Sequence, residues 1–547
     1  MCYFSIYVAL LGIDLSVVNA ASVSLASGRG QGTTERTRFS AMTEAIKAEM
    51  TELGISGAAV AVLEGGEITF AQGFGSKHPD YHDPVLASTL FRIGSVTKML
   101  TTVGLLQQVD RDVVDLWAPI TDYLPGVSFP FEVYNDTPIN VRDLLTHRSA
   151  IVDYIEIDPP GFQDDGALAR YFTDVYPDSP GAYVMAPAGR MWNYTNVGYM
   201  LAGLISEMVT GSYYHEYLQD SVLRPLDMNR TFFLPEDVLA DGDFAYGSAL
   251  HWETGEPLIV EPNTYDNGWA RPAGYAFSSV LDLAEMVKFM RNGHPDVLSE
   301  ALHAAMQAPQ VDMEVFLDLV HYGYGFIVQE AGFYRPGTMD FFRLRVVSHG
   351  GDIYGYSADL YYVPSLDFGF IVLTNAGFSH LNISFSTALS TLCELPAPEP
   401  LPDLSMSAAD YVNYRGYYQD AYDVGDVWVR GSGSQLQVEI PGFLDSGLRY
   451  QSTLVANTPH NFLLFIEGLA AFDRFPMQVT FILDEEGRSE YFRTRGFVAH
   501  FKSKDIGTPT DRPGRRILSL AARSPMLDHP DVLPVPPLPF IQPVPFK

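Results

Sequence analysis

A serine and a lysine stand three residues apart in the segment FRIGSVTK, directly before an apolar run with helical spacing. Residues i and i+3 lie on one face of a helix, so the Ser95 hydroxyl and the Lys98 amine become neighbours. The positive end of the helix dipole and local burial both disfavour the ammonium form of Lys98. A lysine made less basic in this way can take a proton from serine, although a capping serine beside a solvated lysine would have the same letters.

A phenol and an amide come close together later in the chain. Tyr194 and Asn196 flank one threonine, after the turn-forming sequence Pro187-Ala188-Gly189 and before a second apolar helical run. In an extended chain, residues i and i+2 point the same way, so both side chains can line one cleft. Considered alone, the pair also fits an aromatic residue that packs with its hydroxyl at the surface.

A third segment offers small residues at a strand edge. His349, Gly350, Gly351 and Asp352 lie between two strand-like runs. Adjacent glycines let another backbone or a substrate approach closely, and a strand edge can donate an amide N–H to a developing oxyanion. An ordinary turn between strands is the alternative for this segment alone.

The overall charge is strongly negative. The chain has 547 residues, of which 34 are Lys or Arg and 66 are Asp or Glu, and its formal net charge is −32. Such an acidic surface repels phosphate backbones and anionic lipid, so nucleic-acid binding is the first class of function to exclude. Cys2 and Cys393 can form at most one bridge, so neither a disulfide framework nor a four-cysteine zinc site is expected.

Early strands, a helical centre and late strands predict one sheet built from both ends of an α/β domain over residues 41–393, with helices covering it. Two apolar runs, Gly57–Leu63 and Ile68–Phe74, surround Gly65-Gly66 and predict a β-hairpin. The predicted helices are Met42–Leu53, Val96–Val109, Val197–Thr210 and Val280–Met290, and the predicted late strands are Tyr322–Gln329, Leu344–Ser348, Ser357–Val363 and Phe368–Asn375.

The composition changes after this domain. Prolines at every second position within residues 394–405 exclude a helix or a central strand and predict a linker. Residues 406–505 are rich in Tyr, Phe, Val and Gly with short alternating runs, which predicts a small antiparallel β-barrel or sandwich. The proline-rich segment 506–547 is expected to be extended on the surface.

The chain starts with an apolar segment, residues 1–22, in which Val18-Asn19-Ala20 resembles a signal-peptidase site. The segment contains no Lys or Arg, and Asp14 interrupts its apolar stretch. A cleaved export signal on a periplasmic or secreted protein is the first interpretation, and a misassigned start of a cytoplasmic protein is the alternative. No other stretch approaches the roughly 18 apolar residues that indicate a membrane span.

The order and spacing of the three chemical segments resemble the serine β-lactamase and penicillin-binding-protein superfamily, most closely its branch of class C β-lactamases, D-aminopeptidases and family VIII esterases. The resemblance covers about Ala41 to Cys393. It implies an α+β sandwich with a helical lobe, and a C-terminal barrel similar to the lipocalin-like modules of peptidase members. Further similar stretches are Leu144–Ser149 (LLTHTSG in the branch), Arg224–Met228 with Thr231–Phe233 (PLGMxxTFF), and Pro272–Tyr275 with Ser278 and Asp282 (AGGLxSTxxDL).

The resemblance implies a role for each motif residue. Ser95 is the nucleophile that becomes acylated, in the groove between sheet and helical lobe. Lys98 abstracts or shares its proton, and Tyr194 acts with Lys98 as base and then protonates the leaving group. Asn196 binds the amide or carbonyl on the acyl side of the substrate. The backbone N–H groups of Ser95 and Asp352 form the oxyanion hole, in which one donor is worth about 10² to 10³ in rate.

His349 departs from the lactamases, which have lysine in their KTG segment. The permanent cation that helps to hold a drug carboxylate is therefore missing, which weakens the case for a β-lactamase. An imidazole can still donate a hydrogen bond to Tyr194 or to substrate. The sequence His349-Gly350-Gly351 is typical of the esterase and peptidase members.

These features predict a serine hydrolase that acts on a peptide or small-molecule substrate and needs no metal or organic cofactor. Peptide or amide hydrolysis is preferred, because peptidase members carry such barrels; they include enzymes that release D-amino acids and one that degrades linearised cyclic peptides such as microcystin. Short acyl esters are the first alternative, and a catalytically silent acyl-binding sensor is the second. The segment His215–Gln219 lacks the second histidine of a zinc H-E-x-x-H motif. The sequence leaves the oligomeric state open.

Overall fold

The computed structural model describes residues 38–504 apart from 130–136, 154–161, 180, 251–255, 265, 331–332, 335–339, 401–402 and 470–471. The predicted export segment (1–22) and proline-rich tail (506–547) lie outside the described residues. No helix within the described ranges combines the length and the apolar character needed to cross a bilayer.

The strands before residue 394 belong to one large sheet and several short pairs. In chain order they are β1 (Gly57–Glu64), β2 (Glu67–Gly75), β3 (Phe91–Arg92), β4 (Gly247–Leu250), β5 (Pro257–Val260), β6 (Phe277–Ser278), β7 (Val311–Asp312), β8 (Val320–Tyr322), β9 (Ile327–Gln329), β10 (Phe333–Tyr334), β11 (Phe341–Phe342), β12 (Val346–Ile353), β13 (Tyr356–Val363) and β14 (Phe368–Thr374).

The α-helices of this region lie mostly between the early and the late strands. They are α1 (Ser40–Glu52), α2 (Thr97–Asp110), α3 (Val141–Leu145), α4 (Ala167–Arg170), α5 (Asn196–Thr210), α6 (Tyr214–Leu218), α7 (Pro235–Asp241), α8 (Arg271–Gly274), α9 (Val280–Asn292), α10 (Glu300–Met306) and α11 (Asn382–Leu392).

The large sheet is antiparallel and takes strands from both ends of the domain, as the sequence predicts. Its order among the described residues is β2-β1-β14-β13-β12-β9-β8-β7. The early strand β1 pairs with the late strand β14, with Ala58 opposite Thr374. The predicted hairpin between β1 and β2 turns at Gly65 and Gly66, whose φ angles of 62° and 85° suit the two central positions of a type I′ turn.

Helices cover both faces of the sheet, and the central strand β1 contributes to both cores. One core contains side chains of α1 and α11, and a larger core contains side chains of α2, α5 and α9. A strand that is buried on both faces is apolar at every position, which explains the unbroken apolar run of β1. Ala58, Val60 and Val62 enter the α1/α11 core, whereas Ala59, Ala61 and Leu63 enter the larger core.

Two of the late strands differ from the prediction. The run Tyr322–Gln329 is not one strand but forms β8 and β9, because Gly325 has a φ of +77°. A Cβ on Gly323 would lie only 2.3 Å from the Met306 carbonyl oxygen, so the chain turns where it meets this backbone. β12 continues to Ile353 and pairs with β13, so the His349–Asp352 segment lies inside a strand rather than in a turn.

The C-terminal region forms a closed eight-strand β-barrel, which decides between the predicted barrel and sandwich. The ring runs β20-β19-β17-β16-β15-β23-β22-β21 and closes by pairing β20 with β21, while β18 adds to β20. Its interior is packed with aromatic side chains, among them Tyr414, Phe462, Phe481 and Phe492. Its elements are α12 (Ala408–Tyr414), α13 (Pro441–Asp445), β15 (Gly416–Gln419), β16 (Asp426–Ser432), β17 (Gln435–Glu439), β18 (Arg449–Tyr450), β19 (Thr453–Thr458), β20 (Asn461–Leu469), β21 (Phe472–Leu483), β22 (Ser489–Arg493) and β23 (Val498–Ser503).

The barrel packs against the segment that carries Tyr194. Arg493, at the end of β22, donates hydrogen bonds to the backbone oxygens of Trp192 and Met313. The same guanidinium pairs with Glu314 at 2.9 Å. Because the Arg493 side chain is only 4% exposed, these bonds form a buried polar junction beside the predicted catalytic residues.

A buried carboxyl joins α1 to the start of α11. Glu49 accepts hydrogen bonds from the backbone nitrogens of Ile383 at 2.8 Å and Ser384 at 2.6 Å, and it also bonds the Ser384 hydroxyl. These N–H groups belong to the first turn of α11, where a helix leaves its donors unpaired. Burial outweighs these bonds and raises the pKa of Glu49 from 4.5 to about 7.

We expect Glu49→Gln to change how stability depends on pH. A carboxyl whose folded pKa is raised contributes stability that is complete below its ordinary pKa of 4.5 and is lost as pH rises towards 7. The difference between the two pKa values corresponds to about 3 kcal/mol. The melting temperature of the native chain should therefore exceed that of the variant most at pH 4.5 and below, and this gap should narrow as pH rises from 4.5 to 7. A gap independent of pH would contradict the prediction.

Candidate active site

Ser95 lies in a tight turn that the sheet approaches closely. The turn is the 3₁₀ segment Gly94–Val96, which leads directly into α2, so Ser95 precedes the α-helix rather than beginning it. A Cβ on Gly94 would lie 2.8 Å from the amide nitrogen of Asp352, and one on Gly351 would lie 2.1 Å from the Ile93 carbonyl oxygen. The two glycines therefore allow β12 to pack directly against the backbone of Ser95.

The Lys98 amine lies beside the Ser95 hydroxyl and has no exposed surface. Its Nζ is 3.0 Å from Ser95 Oγ, 2.7 Å from Asn196 Oδ1 and 2.6 Å from the Ala273 carbonyl oxygen. Burial lowers the pKa of Lys98 well below its ordinary value; the Asp153 carboxylate opposes this shift and the Arg495 guanidinium adds to it. Burial thus favours a neutral amine despite the nearby Asp153 carboxylate.

A neutral amine has two N–H donors and one lone pair. Ala273 O and Asn196 Oδ1 can only accept, so they take the two donors. The lone pair of Lys98 is then left for the remaining partner, the Ser95 hydroxyl. This arrangement is the one that a lysine needs to remove a proton from serine.

Tyr194 reaches the same hydroxyl from the other side. Its side chain is hydrogen-bonded to that of Ser95, and burial is the main cause that raises its pKa above the ordinary range. The Lys98 Nζ lies 5.0 Å from the centre of the Tyr194 ring. The phenol therefore stays protonated and contacts Lys98 through the ring face, while its oxygen meets Ser95.

Asn196 is the first residue of α5, and its amide is oriented by Asp153. The Asp153 carboxylate accepts from the Asn196 backbone N–H at 2.7 Å and from its Nδ2 at 3.2 Å. The amide nitrogen thus faces Asp153, and the amide oxygen faces Lys98. Sequence analysis did not identify Asp153, which carries no motif of its own and only follows the LLTHRSA segment by a few residues.

Arg495 of the barrel closes the site from above Tyr194. It lies in the turn between β22 and β23, forms an ion pair with Asp153, and its guanidinium carbon is 4.8 Å from the centre of the Tyr194 ring. The Arg495 backbone oxygen accepts a hydrogen bond from Asn193 at 3.3 Å. No local pattern distinguishes this arginine from any other in a β-turn, so its place in the site depends on how the barrel docks.

His349 does not make the contact that the sequence predicted. Its Nδ1 lies 2.6 Å from the Gly350 carbonyl oxygen and its Nε2 lies 2.9 Å from the Tyr322 hydroxyl. Burial lowers the pKa of His349 to about 3, so the ring is neutral. Since a carbonyl can only accept, Nδ1 carries the proton and Nε2 accepts from Tyr322. The imidazole is thus a buried acceptor and neither a cation nor a donor to Tyr194.

His147, in the segment Leu144–Ser149, packs against the ring of Tyr194. Its ring centre lies 4.0 Å from that of Tyr194 and 4.6 Å from that of Tyr322. Its Nδ1 accepts a hydrogen bond from the Thr195 backbone N–H at 3.1 Å. These contacts are those of a structural histidine. Within the described residues, no group of His, Cys, Asp and Glu is placed to hold a metal ion.

An antiparallel sheet, a helical lobe and a serine–lysine pair between them form an arrangement of the serine β-lactamase type. The family model named Beta-lactamase matches residues 42–382, which is more than half of the chain. The chain therefore belongs to the β-lactamase family, as its motifs indicate.

Three known proteins illustrate the relationship. The unguisins hydrolase ungD' of Aspergillus campestris is 26% identical over 364 residues, which cover 63% of this chain and 63% of that protein. The crystal structure of SurE with D-Leu has a TM-score of 0.61 at 20% identity, covering 86% of this chain and 100% of SurE. The D-amino acid amidase of Ochrobactrum anthropi SV3, in complex with L-phenylalanine amide, has a TM-score of 0.51 at 21% identity, covering 65% of this chain and 98% of the amidase. The chain spans 60% to 63% of the length of the curated relatives that it matches.

We expect Asp153 and Arg495 to shift the acid limb of the pH–activity profile in opposite directions. Arg495 lowers the pKa of Lys98 and Asp153 raises it. Arg495→Gln should therefore move the acid limb of kcat/KM to higher pH, and Asp153→Asn should move it to lower pH.

The matched control is Arg488→Gln, which removes an exposed barrel arginine paired with Asp484 and Glu486. Its pH profile should equal that of the native chain. Shifts of the same sign in Arg495→Gln and Asp153→Asn would show that the two charges do not act on Lys98.

Proposed function

We propose that this chain is a serine hydrolase that forms an acyl-enzyme on Ser95 and hydrolyses amide bonds of small or linear peptides. The observation that carries the proposal is the position of the Lys98 amine. It is buried, two oxygens that can only accept lie within 2.7 Å of it, and its Nζ is 3.0 Å from Ser95 Oγ, so a neutral amine directs its lone pair at that hydroxyl. A lysine in this state can act as a base, whereas a lysine at the protein surface is a cation.

In the first half-reaction, Ser95 Oγ attacks the carbonyl carbon of the substrate while Lys98 takes its proton. The carbonyl oxygen becomes an oxyanion between the amide N–H groups of Ser95 and Asp352, whose backbones lie against each other through Gly94 and Gly351. The C–N bond then breaks as the neutral phenol of Tyr194 gives its proton to the departing amine. The Lys98 ammonium returns a proton to the phenolate.

In the second half-reaction, water replaces the departed amine. Tyr194 and Lys98 take the proton of the attacking water, and the same two N–H groups hold the second oxyanion. Collapse of this intermediate releases the acid and returns the proton to Ser95 Oγ. No electron transfer or external reagent besides water enters this sequence.

The barrel supports a preference for short substrates or chain ends. Arg495 and Asp153 stand beside Tyr194 and Asn196, so the barrel borders the place where the acyl part of a substrate would bind. A bordered cleft favours a chain end over an internal bond of a folded protein. The names of the similar proteins, an unguisins hydrolase and a D-amino acid amidase, support amides and D-residues as the first compounds to test.

The neutral state of His349 argues against efficient lactam hydrolysis. A β-lactam drug presents a carboxylate, and His349 offers no positive charge to receive it because its pKa is lowered to about 3 by burial. A panel of D- and L-aminoacyl amides, linear peptides, short esters and nitrocefin ranks these substrate classes by kcat/KM. We expect an amide or peptide to rank first and nitrocefin last; ester hydrolysis without amide turnover would move the assignment to a carboxylesterase.

Ser95→Ala should abolish both activity and labelling by a fluorophosphonate probe. The side chain is small and lies in a turn whose packing depends on the glycines, so the melting temperature should stay nearly unchanged. Ser405→Ala, a change at an exposed serine before the barrel, is the matched control and should label normally. Equal labelling of the Ser95→Ala variant would remove Ser95 as nucleophile, and labelling of the native chain without turnover of any panel member would identify an acyl-binding sensor.

Lys98→Ala should reduce kcat/KM by at least as much as Tyr194→Phe. The reason is that the amine takes the proton of Ser95 and later returns a proton to the Tyr194 phenolate. General acid–base groups contribute about 10² to 10⁴ in rate, so both losses should fall in or above that range. Initial rates on the best amide substrate measure them. A Lys98→Ala variant with native activity would exclude this mechanism.

A further inference from the structure

Three ionisable side chains form a buried cluster that the proposed mechanism does not use. His380, in the segment between β14 and α11, places Nε2 3.1 Å from Asp352 Oδ2 and Nδ1 2.7 Å from Asp359 Oδ2. The exposed fractions of the three side chains are only 6%, 4% and 6%. Burying three such groups together is costly unless they compensate one another, so the arrangement calls for a reason.

The cluster lies directly behind the strand that approaches the nucleophile. In the β12–β13 register, Gly350 stands opposite Asp359, and Asp352 stands opposite Ser357. Successive side chains of a strand alternate between faces, so Asp352 and Asp359 share the face opposite to Gly351, which meets Ile93 and Ser95. One face of this part of β12 thus borders the proposed oxyanion position, and the opposite face carries the ion cluster.

The local contacts hold the Asp352 carboxylate on the back of the strand. Its Oδ1 accepts from the Ser357 hydroxyl at 2.7 Å and from the Phe378 backbone N–H at 3.0 Å, while Oδ2 faces His380. Gly350 leaves room for the neighbouring carboxylate, since a Cβ there would lie 3.0 Å from Asp359 Oδ1. Every oxygen of the Asp352 carboxylate is therefore directed away from Ser95.

The charges favour an imidazolium between the two carboxyls. Burial opposes it, but Asp352 and Asp359 together raise the pKa of His380 well above its ordinary value. Burial also acts on Asp352, where His380 and the hydrogen bonds outweigh it and lower the pKa. The other titratable groups that face the cluster are Tyr361 on β13, which bonds Asp359, and Glu49 on α1, which faces Tyr361.

The proposed oxyanion donor has an electrostatic difficulty that His380 can remove. The backbone N–H of Asp352 has to receive developing negative charge, while the side chain of the same residue carries a negative charge. Like charges at this separation in a buried setting raise the energy of the oxyanion. A fixed cation on the far side of the carboxylate offsets that repulsion and fixes the strand that holds the N–H.

We propose that His380 is a positioning residue of the oxyanion hole, where its imidazolium, held by Asp359, neutralises and anchors the Asp352 carboxylate so that the Asp352 N–H can face the oxyanion. The inference rests on the proposed function, because the orientation of this N–H matters only if Ser95 is acylated. It extends that function to residues outside the three chemical segments and assigns the buried carboxyl of Asp359 the task of keeping the imidazole charged.

The central experiment is a charge rescue. His380→Gln should lower kcat/KM and the second-order rate of fluorophosphonate labelling by about tenfold to hundredfold, the size expected for an impaired oxyanion donor. Adding Asp352→Asn to this variant should restore most of the loss, because a neutral residue 352 needs no compensating cation. The control His303→Gln changes a part-buried histidine that bonds the Phe289 carbonyl oxygen, and it should keep native rates.

Asp359→Asn provides a second, independent test. With one carboxyl fewer beside it, His380 should lose its proton at lower pH, so the alkaline limb of kcat/KM should move to lower pH than in the native chain. This variant keeps the proposal testable if His380→Gln does not fold. An unchanged alkaline limb would overturn it.

The failures of the two ideas are distinguishable. A native chain that neither labels nor turns over any amide or ester defeats the proposed function and the inference together. A native chain that labels and turns over, combined with His380→Gln at native rates, defeats only the inference. A loss in His380→Gln that Asp352→Asn does not relieve, or that follows the melting temperature alone, would show a purely structural histidine and overturn the inference as well.

Discussion

The burial of the Lys98 amine is the constraint on which the rest of the structure depends. A lysine without exposed surface is stable only if its amine is neutral or fully paired, because an uncompensated ammonium in a protein interior is very costly. The two acceptors that satisfy it come from different helices, Ala273 on α8 and Asn196 on α5. The packing of α5 and α8 against α2 therefore supplies the partners that allow this amine to be buried beside Ser95.

The barrel extends this dependence to a second part of the chain. Arg493 ends β22 and Arg495 lies in the turn that follows, and together they fix the backbone around Trp192 and the carboxylate of Asp153. Asp153 in turn orients the Asn196 amide whose oxygen faces Lys98. A chain of hydrogen bonds and ion pairs thus runs from a barrel turn to the Lys98 amine. A closed barrel with a packed interior suits this task, because it presents its turns rigidly.

The sequence revealed those features that local physical chemistry determines. Turn preferences and apolar periodicity predict the Gly65-Gly66 hairpin, strand β1, which is buried on both faces, and the helix after Ser95. The serine, lysine, tyrosine and asparagine could be named because their spacing is a property of short segments. The predicted strand Tyr322–Gln329 is interrupted at Gly323 and Gly325, because backbone from distant parts of the chain lies against them. Such contacts leave no local sequence pattern. Asp153 and Arg495 were missed for the same reason, since they meet only when the barrel docks. His349 does not donate to Tyr194, one of the two partners that the sequence allowed, because Tyr322 of β8 occupies its Nε2.

The two faces of β12 show how a strand can serve opposing electrostatic needs. Its front has no room for a side chain at position 351, since a Cβ at Gly351 would overlap the Ile93 backbone, and this closeness brings the Asp352 N–H towards Ser95. Its back carries the Asp352 carboxylate, which hydrogen-bonds two segments and an imidazole. A neutral residue at position 352 would avoid repulsion of an oxyanion, but it would give up the anchor that ties β12 to the segment after β14. An aspartate at position 352 whose charge is offset by the imidazolium of His380 keeps this anchor. Its backbone N–H can then still donate to a negatively charged oxygen.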